Sequence, residues 1–190
     1  MKKEGSAPIA VIIYGAMAVG KLTVGKELAK KIGYKLTHNH LINDLILSVF
    51  ERGTLDANRL IEKLRYEFYD AALRARQNII VTHCYSHNYV SPTGLSDPDY
   101  LKNIEKRIKK AGAKVLFVHL KANNRELLKR VTNDSRKQHR KLTKVSIMKE
   151  YLKAKDFTTS APVKNNLVID NTNLSAAKTA AIIEKHLKSI

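Results

Sequence analysis

A short apolar run at residues 8–14, Pro-Ile-Ala-Val-Ile-Ile-Tyr, ends at Gly15-Ala16-Met17-Ala18-Val19-Gly20-Lys21, and a helical pattern begins at the lysine. This junction restricts the fold more than any other feature of the chain. The β-branched run reads as a buried strand. Glycines on both sides of the turn let the backbone wrap an anion without interference from Cβ atoms. Successive N–H groups and the start of the following helix then point partial positive charge into the turn. Lys21 adds a full charge. Strand, Gly-x-x-x-x-Gly-Lys and helix, in that order, are the context expected of a phosphate-binding loop of the Walker A type. The candidate nucleotide-binding residues are Gly15, Ala16, Met17, Ala18, Val19, Gly20, Lys21, Leu22 and Thr23.

The rest of the chain alternates strand and helix. Residues 21–32 predict a helix with Leu22, Gly25, Leu28, Ala29 and Ile32 on one face and Gly33 as its stop. A strand at 34–37 precedes helices at 40–50 and 56–77. In the longer helix Asp56 is the expected N-cap, and Leu60, Leu64, Phe68, Ala71 and Ala72 form the apolar stripe. A strand at 78–84 leads through a loop to Asp97-Pro98, where Asp is expected to cap a helix and Pro to take its first position. A strand follows at 114–120, and Asn123 with Glu126 has capping-box spacing. Residues 133–145 are polar and basic and read as a lid, before a helix at 146–156, a strand at 167–170 and a closing helix at 175–188. Five short apolar strands separated by helices imply a mainly parallel sheet covered on both faces. The expectation is one α/β domain over 1–190, a three-layer P-loop NTPase fold with a five-stranded parallel sheet, its ligand at the carboxyl ends of the strands.

Charge narrows the partners. Lys and Arg number 35 against 17 Asp and Glu, a net charge of +18. Such a surface attracts polyanions: nucleotides, other anionic small molecules or nucleic acid. The lysines are spread over most helices, which argues weakly against a dedicated nucleic-acid face. No apolar run approaches the roughly 18 residues of a membrane span, and the N-terminal segment does not read as a secretion signal. The expected location is cytoplasmic. The single cysteine, Cys84, excludes an internal disulfide and a multi-cysteine zinc site. It reads as a small buried hydrophobe and not as a nucleophile.

One position departs from the usual loop. The residue after the lysine is normally Ser or Thr, whose hydroxyl ligates Mg²⁺. Here it is Leu22, and the hydroxyl comes at Thr23. One residue rotates a side chain by about 100° around a helix, so Thr23 suits an α-phosphate oxygen better. Nucleoside monophosphate kinases resemble this arrangement, with Gly-Lys-Gly-Thr and Mg²⁺ held largely through water and phosphate oxygens. More widely, the run from Ile13 to Val24, followed by Tyr34-Lys35-Leu36-Thr37-His38-Asn39-His40, resembles a family of small P-loop kinase-like proteins. Its members read Gly-Pro-Pro-Ala-Val-Gly-Lys and then Phe-His-Asn-His. Here Ala16-Met17 replaces Pro-Pro and Thr37 replaces Phe. The similarity continues through Asn133-Asp134-Ser135-Arg136 and Val168-Ile169-Asp170-Asn171-Thr172. That family is grouped with shikimate, adenylate and antibiotic-modifying kinases. The resemblance implies a shikimate or nucleoside monophosphate kinase-like fold and ATP binding, with Mg²⁺ as companion ion.

The resemblance also implies roles. Lid arginines close over the phosphates in such kinases, which selects Arg136 and Arg140 beside Lys21 as catalytic candidates. His38, His40 and Asp44 follow the second strand, on the acceptor side. A histidine there is expected to bind the acceptor, and Asp44 to orient its hydroxyl or take its proton. Arg65 is a further acceptor contact. No Walker B aspartate is evident, so the protein ligands of a metal stay unassigned. Three readings remain open: a kinase acting on a small hydroxyl or phosphate acceptor, a nucleotide-binding switch without transfer, and a polynucleotide kinase. The acceptor, the choice between ATP and GTP, and the oligomeric state are not encoded legibly.

Overall fold

The computed structural model describes residues 6–136 and 141–190, Ser135 by its backbone alone. The elements run β1 (Ile9–Gly15), α1 (Lys21–Ile32), β2 (Lys35–His38), α2 (Asn39–Ile46), α3 (Leu55–Arg74), β3 (Ile79–Cys84), α4 (Asp97–Lys110), β4 (Lys114–Lys121), α5 (Asn124–Val131), α6 (Val145–Ala154), β5 (Asn166–Asp170) and α7 (Ala176–Leu187). A short 3₁₀ turn, Asp134–Arg136, lies between α5 and α6. The sheet order is β2-β3-β1-β4-β5 and every pairing is parallel. The fold is thus the expected α/β architecture.

β1 is the central strand, and its residues 10–14 are buried on both faces. Val11 and Ile13 face a core shared with α1, α5, α6 and α7. Ala10, Ile12 and Tyr14 face a second core closed by α3 and α4. Two-sided burial explains why this strand reads as an unbroken apolar run. The chain leaves β1 toward the β2 edge and leaves β4 toward the β5 edge, so the carboxyl ends of neighbouring β1 and β4 form the crevice where such sheets bind ligands.

β1 and β4 approach closely at that edge. A Cβ on Gly15 would overlap the Leu120 carbonyl oxygen, and Gly15 has φ +139°. No side chain fits there. Gly25 serves a different contact: it brings α1 onto the sheet, where an added Cβ would come 3.0 Å from Leu36 Cδ1.

Several local expectations are corrected. α3 is capped by Thr54, whose side chain accepts from Ala57 N, and Asp56 lies in the first turn. Its buried face consists of Ala57, Arg65, Tyr69 and Leu73, whereas Phe68 is 42% exposed. Leu60, Leu64 and Ala72 of the expected stripe pack against core residues, whereas Phe68 and Ala71 turn outward and Arg65 and Tyr69 are buried in their place. α4 is capped by Ser96, which accepts from Asp99 N, and Asp97 is released for other contacts.

Gly15→Ala combines a left-handed φ with a backbone overlap, each normally costing about 1–3 kcal/mol. The variant is expected to lose roughly 3 kcal/mol or more in urea unfolding. A midpoint equal to wild type would contradict the close β1–β4 contact.

Candidate functional site

The loop after β1 has the geometry of an anion cradle. Positive φ values recur at Gly15 (139°), Ala18 (62°) and Gly20 (98°). Ala18 holds a left-handed conformation that costs an ordinary residue on the order of 1 kcal/mol, so the surroundings must enforce it. α1 starts at Gly20 with no side-chain cap and no acidic residue in its first turn. The positive end of the helix is left for a ligand. Lys21 Nζ folds back to donate to the carbonyls of Gly15 (2.9 Å) and Ala16 (2.6 Å).

A lock holds the loop from the far side. Asn171, buried just after β5, donates from Nδ2 to the Val19 carbonyl at 2.8 Å. Arg130 of α5 donates to the same carbonyl (3.2 Å), to Asn171 Oδ1 (3.0 Å), and to the carbonyls of Asn171 (2.9 Å) and Thr172 (3.2 Å). Its Nε bonds Glu126 Oε1 at 2.8 Å, so the Glu of the predicted capping box serves the arginine. Arg130 therefore ties three segments together.

A cavity of about 510 Å³ opens over this loop. Lys21, Thr23, His40, Arg130, Arg136 and Lys141 line it. Arg136 is anchored by Nε to the Leu142 carbonyl at 2.9 Å. Burial lowers the pKa of Lys21, and the nearby cations Arg136 and Lys141 lower it further against the pull of Cys84 and Asp97. Burial likewise lowers Lys141, assisted by Arg136 and Lys26. Cations clustered so that Arg136 depresses both lysines mark a region of positive potential, which an anion would relieve.

A second cavity, of about 320 Å³, adjoins the first. Met17, Asn39, Asn43, Arg52, Cys84 and Tyr151 line both. Deeper in its wall stand Arg65, His83, Asp97 and Tyr100. Asp97, 8% exposed, reaches back to the end of β3, where Oδ1 lies 3.3 Å from His83 Nε2 and Oδ2 accepts from Ser86 N at 2.8 Å. His83 stacks on Tyr100, ring centroids 4.6 Å apart. Burial lowers the His83 pKa, opposed by the hydrogen bond and charge of Asp97.

The residues singled out from the sequence are distributed unevenly. Met17, Ala18, Gly20, Lys21, Leu22 and Thr23 line the larger cavity, as does His40. Arg65 lines the smaller one. His38 ends β2 and lies 6.0 Å, centroid to centroid, from the His40 ring. His38 and Asp44 line neither cavity, although Asp44 attracts Lys141. The expected lid contains Arg136 and Lys141 beside the loop, and Arg140 lies outside the described residues. Cys84 is half-buried where the cavities meet. Among the described residues no cluster of three His, Cys, Asp or Glu side chains could hold a metal. At the positions after Lys21, Leu22 is apolar and Thr23 is exposed.

Sequence reasoning passed over Asp97, His83 and Asn171. For Asp97 a signal was present: Ser96 and Asp99 already form a cap pair, with Ser96 Oγ 2.7 Å from Asp99 Oδ2, which frees the intervening carboxylate. Asn171 lies in the Val168–Thr172 stretch that carries the family resemblance, but its bond to Val19, 152 residues away in sequence, has no local signature.

No family model matches the chain, and no curated protein matches it in sequence. The fold is shared with solved kinases. A gluconokinase from Sinorhizobium meliloti 1021 is 16% identical with a TM-score of 0.63, covering 96% of this chain and 93% of its own. The Mycobacterium tuberculosis APS kinase, solved with AMPPNP and APS, is 11% identical with a TM-score of 0.60, covering 97% and 99%. Shikimate kinase from Acinetobacter baumannii, solved with shikimate, is 18% identical with a TM-score of 0.55, covering 97% and 94%. At these identities the likeness establishes a P-loop kinase fold. No described helix is long and apolar enough to cross a membrane.

Two expectations test the framework. Asn171→Ala removes one of the two donors to the Val19 carbonyl and the Oδ1 acceptor of Arg130, and should cost about 1–3 kcal/mol in urea unfolding. An unchanged midpoint would mean that Arg130 alone holds the loop. His119, fully buried on β4, stacks on Tyr14 at 4.6 Å, and its Nδ1 lies 3.0 Å from Ser160 Oγ. Burial pushes its pKa down to about 4. Between that value and the unfolded value near 6.5, the unfolded chain binds the proton and the folded chain does not. Stability should therefore fall as pH drops from 7 to 4, with His119 contributing on the order of 3 kcal/mol. A His119→Phe variant should lose that share of the slope, and identical slopes in the two proteins would refute the assignment.

Proposed function

We propose that this protein is an ATP-dependent kinase that transfers the γ-phosphoryl group to a small hydroxyl or phosphate acceptor. The observation that carries the reading is the pair of adjoining cavities. One is a cationic cradle over the phosphate loop, and the other is a smaller polar and aromatic chamber beyond Met17 and Cys84. A module that only binds a nucleotide has no need of the second chamber. The kinase fold and the AMPPNP bound by one structural neighbour support nucleotide binding in the first.

In this reading the β- and γ-phosphates lie on the N–H groups of residues 16–21 and the start of α1. Lys21 exchanges its two carbonyl contacts for phosphate oxygens. Thr23 meets the α-phosphate. Arg136, held on Leu142, stabilises charge on the transferring group. Arg140, from the expected lid, is proposed to assist it. Phosphoryl transfer of this kind is loose and depends mainly on positioning and charge. It asks little of a general base, which suits a site whose buried carboxylate, Asp97, is already engaged with His83 and Ser86. Because the described residues form no metal cage, Mg²⁺ would enter with the nucleotide, and no protein ligand is assigned to it.

Calorimetry with Mg²⁺-ATP on wild type and Lys21→Ala, followed by ATP consumption with an acceptor panel, tests the proposal. Wild type is expected to bind, and the variant to bind at least tenfold more weakly, consistent with loss of charge-assisted hydrogen bonds. An acceptor that accelerates ATP loss establishes the kinase. Binding with no responsive acceptor supports a switch instead. A response confined to nucleic-acid ends, falling steeply with salt, supports a polynucleotide kinase. No binding in wild type rejects the reading.

A further inference from the structure

The smaller cavity contains a buried cation without a counter-ion. Arg65 is 8% exposed and lines that cavity. One terminal nitrogen donates to Asn43 Oδ1 at 2.8 Å, a neutral partner, and its Nε has no hydrogen-bond partner. Among the described residues no carboxylate forms an ion pair with it. Asp97 attracts it from a distance but spends both oxygens on His83 and Ser86. Glu62, also in the cavity wall, accepts from Ser91 and Thr93. Tyr100 stands beside it, with its hydroxyl buried and its ring centroid 6.0 Å from the Arg65 guanidinium carbon. A guanidinium cannot shed its proton to escape burial, and a buried charge left unpaired is strongly destabilising.

We propose that the acceptor is an anion, and that its carboxylate or phosphate oxygens complete the pairing of Arg65 and accept from the Tyr100 hydroxyl. The proposal rests on reading this cavity as the acceptor site. A neutral polyol could satisfy Tyr100 but would leave the guanidinium uncompensated. An anion satisfies both, and the planar fork of an arginine suits the paired oxygens of a carboxylate or phosphate. The same charge would discriminate against uncharged analogues, because binding one would bury Arg65 further without neutralising it.

The test uses the full chain without nucleotide. Thermal unfolding is followed in inorganic phosphate and, separately, malonate, at constant ionic strength. The proteins are Lys21→Ala, which disables the phosphate loop, and the same variant carrying Arg65→Met. The first is expected to be stabilised by one or both anions. The second should need at least about tenfold more anion for the same shift, the usual scale for a charge-assisted contact. Preference between the two probes tells a phosphate-bearing acceptor from a carboxylate-bearing one. Without anion, Arg65→Met in the wild-type background should melt no lower than wild type, since it removes an unpaired charge. A large drop in melting temperature, or equal anion responses in the paired variants, would overturn the proposal. Arg65→Lys keeps the charge but not the fork, and guards against a poorly folding Met variant. It should weaken the response about tenfold, and an unchanged response would overturn the proposal. Because no ATP is present, failure of nucleotide binding would reject the kinase reading while leaving this result to be judged separately.

Discussion

The Val19 carbonyl oxygen accepts from two side chains, Asn171 Nδ2 and Arg130 of α5, and the site depends on that junction. A phosphate-binding loop works only if its N–H groups already converge before the anion arrives. Left-handed residues at Gly15, Ala18 and Gly20 set up the convergence, and Ala18 resists it. Hydrogen bonds from outside the loop must therefore hold the shape. Arg130 supplies them while fully donated to Glu126, Asn171 and Thr172, so it acts as a structural clamp as well as a cation in the cavity wall. At the other end of the loop Gly15 lies so close to Leu120 that a Cβ there would overlap its carbonyl oxygen.

Charge is arranged on this frame in two layers. Lys21, Arg136 and Lys141 line the larger cavity; burial lowers the proton affinity of both lysines, and the Arg136 charge lowers it further. Arg65 stands in the smaller one with a neutral hydrogen-bond partner. Repulsion among such groups is a cost to the folded protein that a bound anion converts into affinity. The excess of basic residues over the whole chain has a different consequence, namely faster encounter with anions at low salt. Only the buried cations can determine which anion stays.

Much of the fold was legible because each level of the sequence agreed with the next. The apolar run of β1, the glycine turn and the helix at Lys21 stand where expected. Asn123 and Ser175 cap helices near their expected starts. On α3 residue type is an incomplete guide to burial. Tyr69 and Arg65 occupy the inner face of α3 while Phe68 lies outside, because Tyr69 and Tyr100 fill that core and Asn43 accepts from the guanidinium. Asp97 was read as a cap because Asp-Pro favours that position. Ser96 holds the cap, and the carboxylate turns inward to His83.

The sequence by itself determined the class of fold and the place of the phosphate loop, since both follow from short-range rules: short unbroken apolar runs for buried strands, glycine freedom and a lysine at the start of a helix. It also determined the sign of the charge. Tertiary structure alone decided which cations face which cavity, that Arg130 clamps the loop, and that Arg65, His83, Asp97 and Tyr100 meet. Those four residues come from α3, β3 and α4, separated by long stretches of chain. Their proximity is a product of strand order and crossover packing, and no local pattern encodes it.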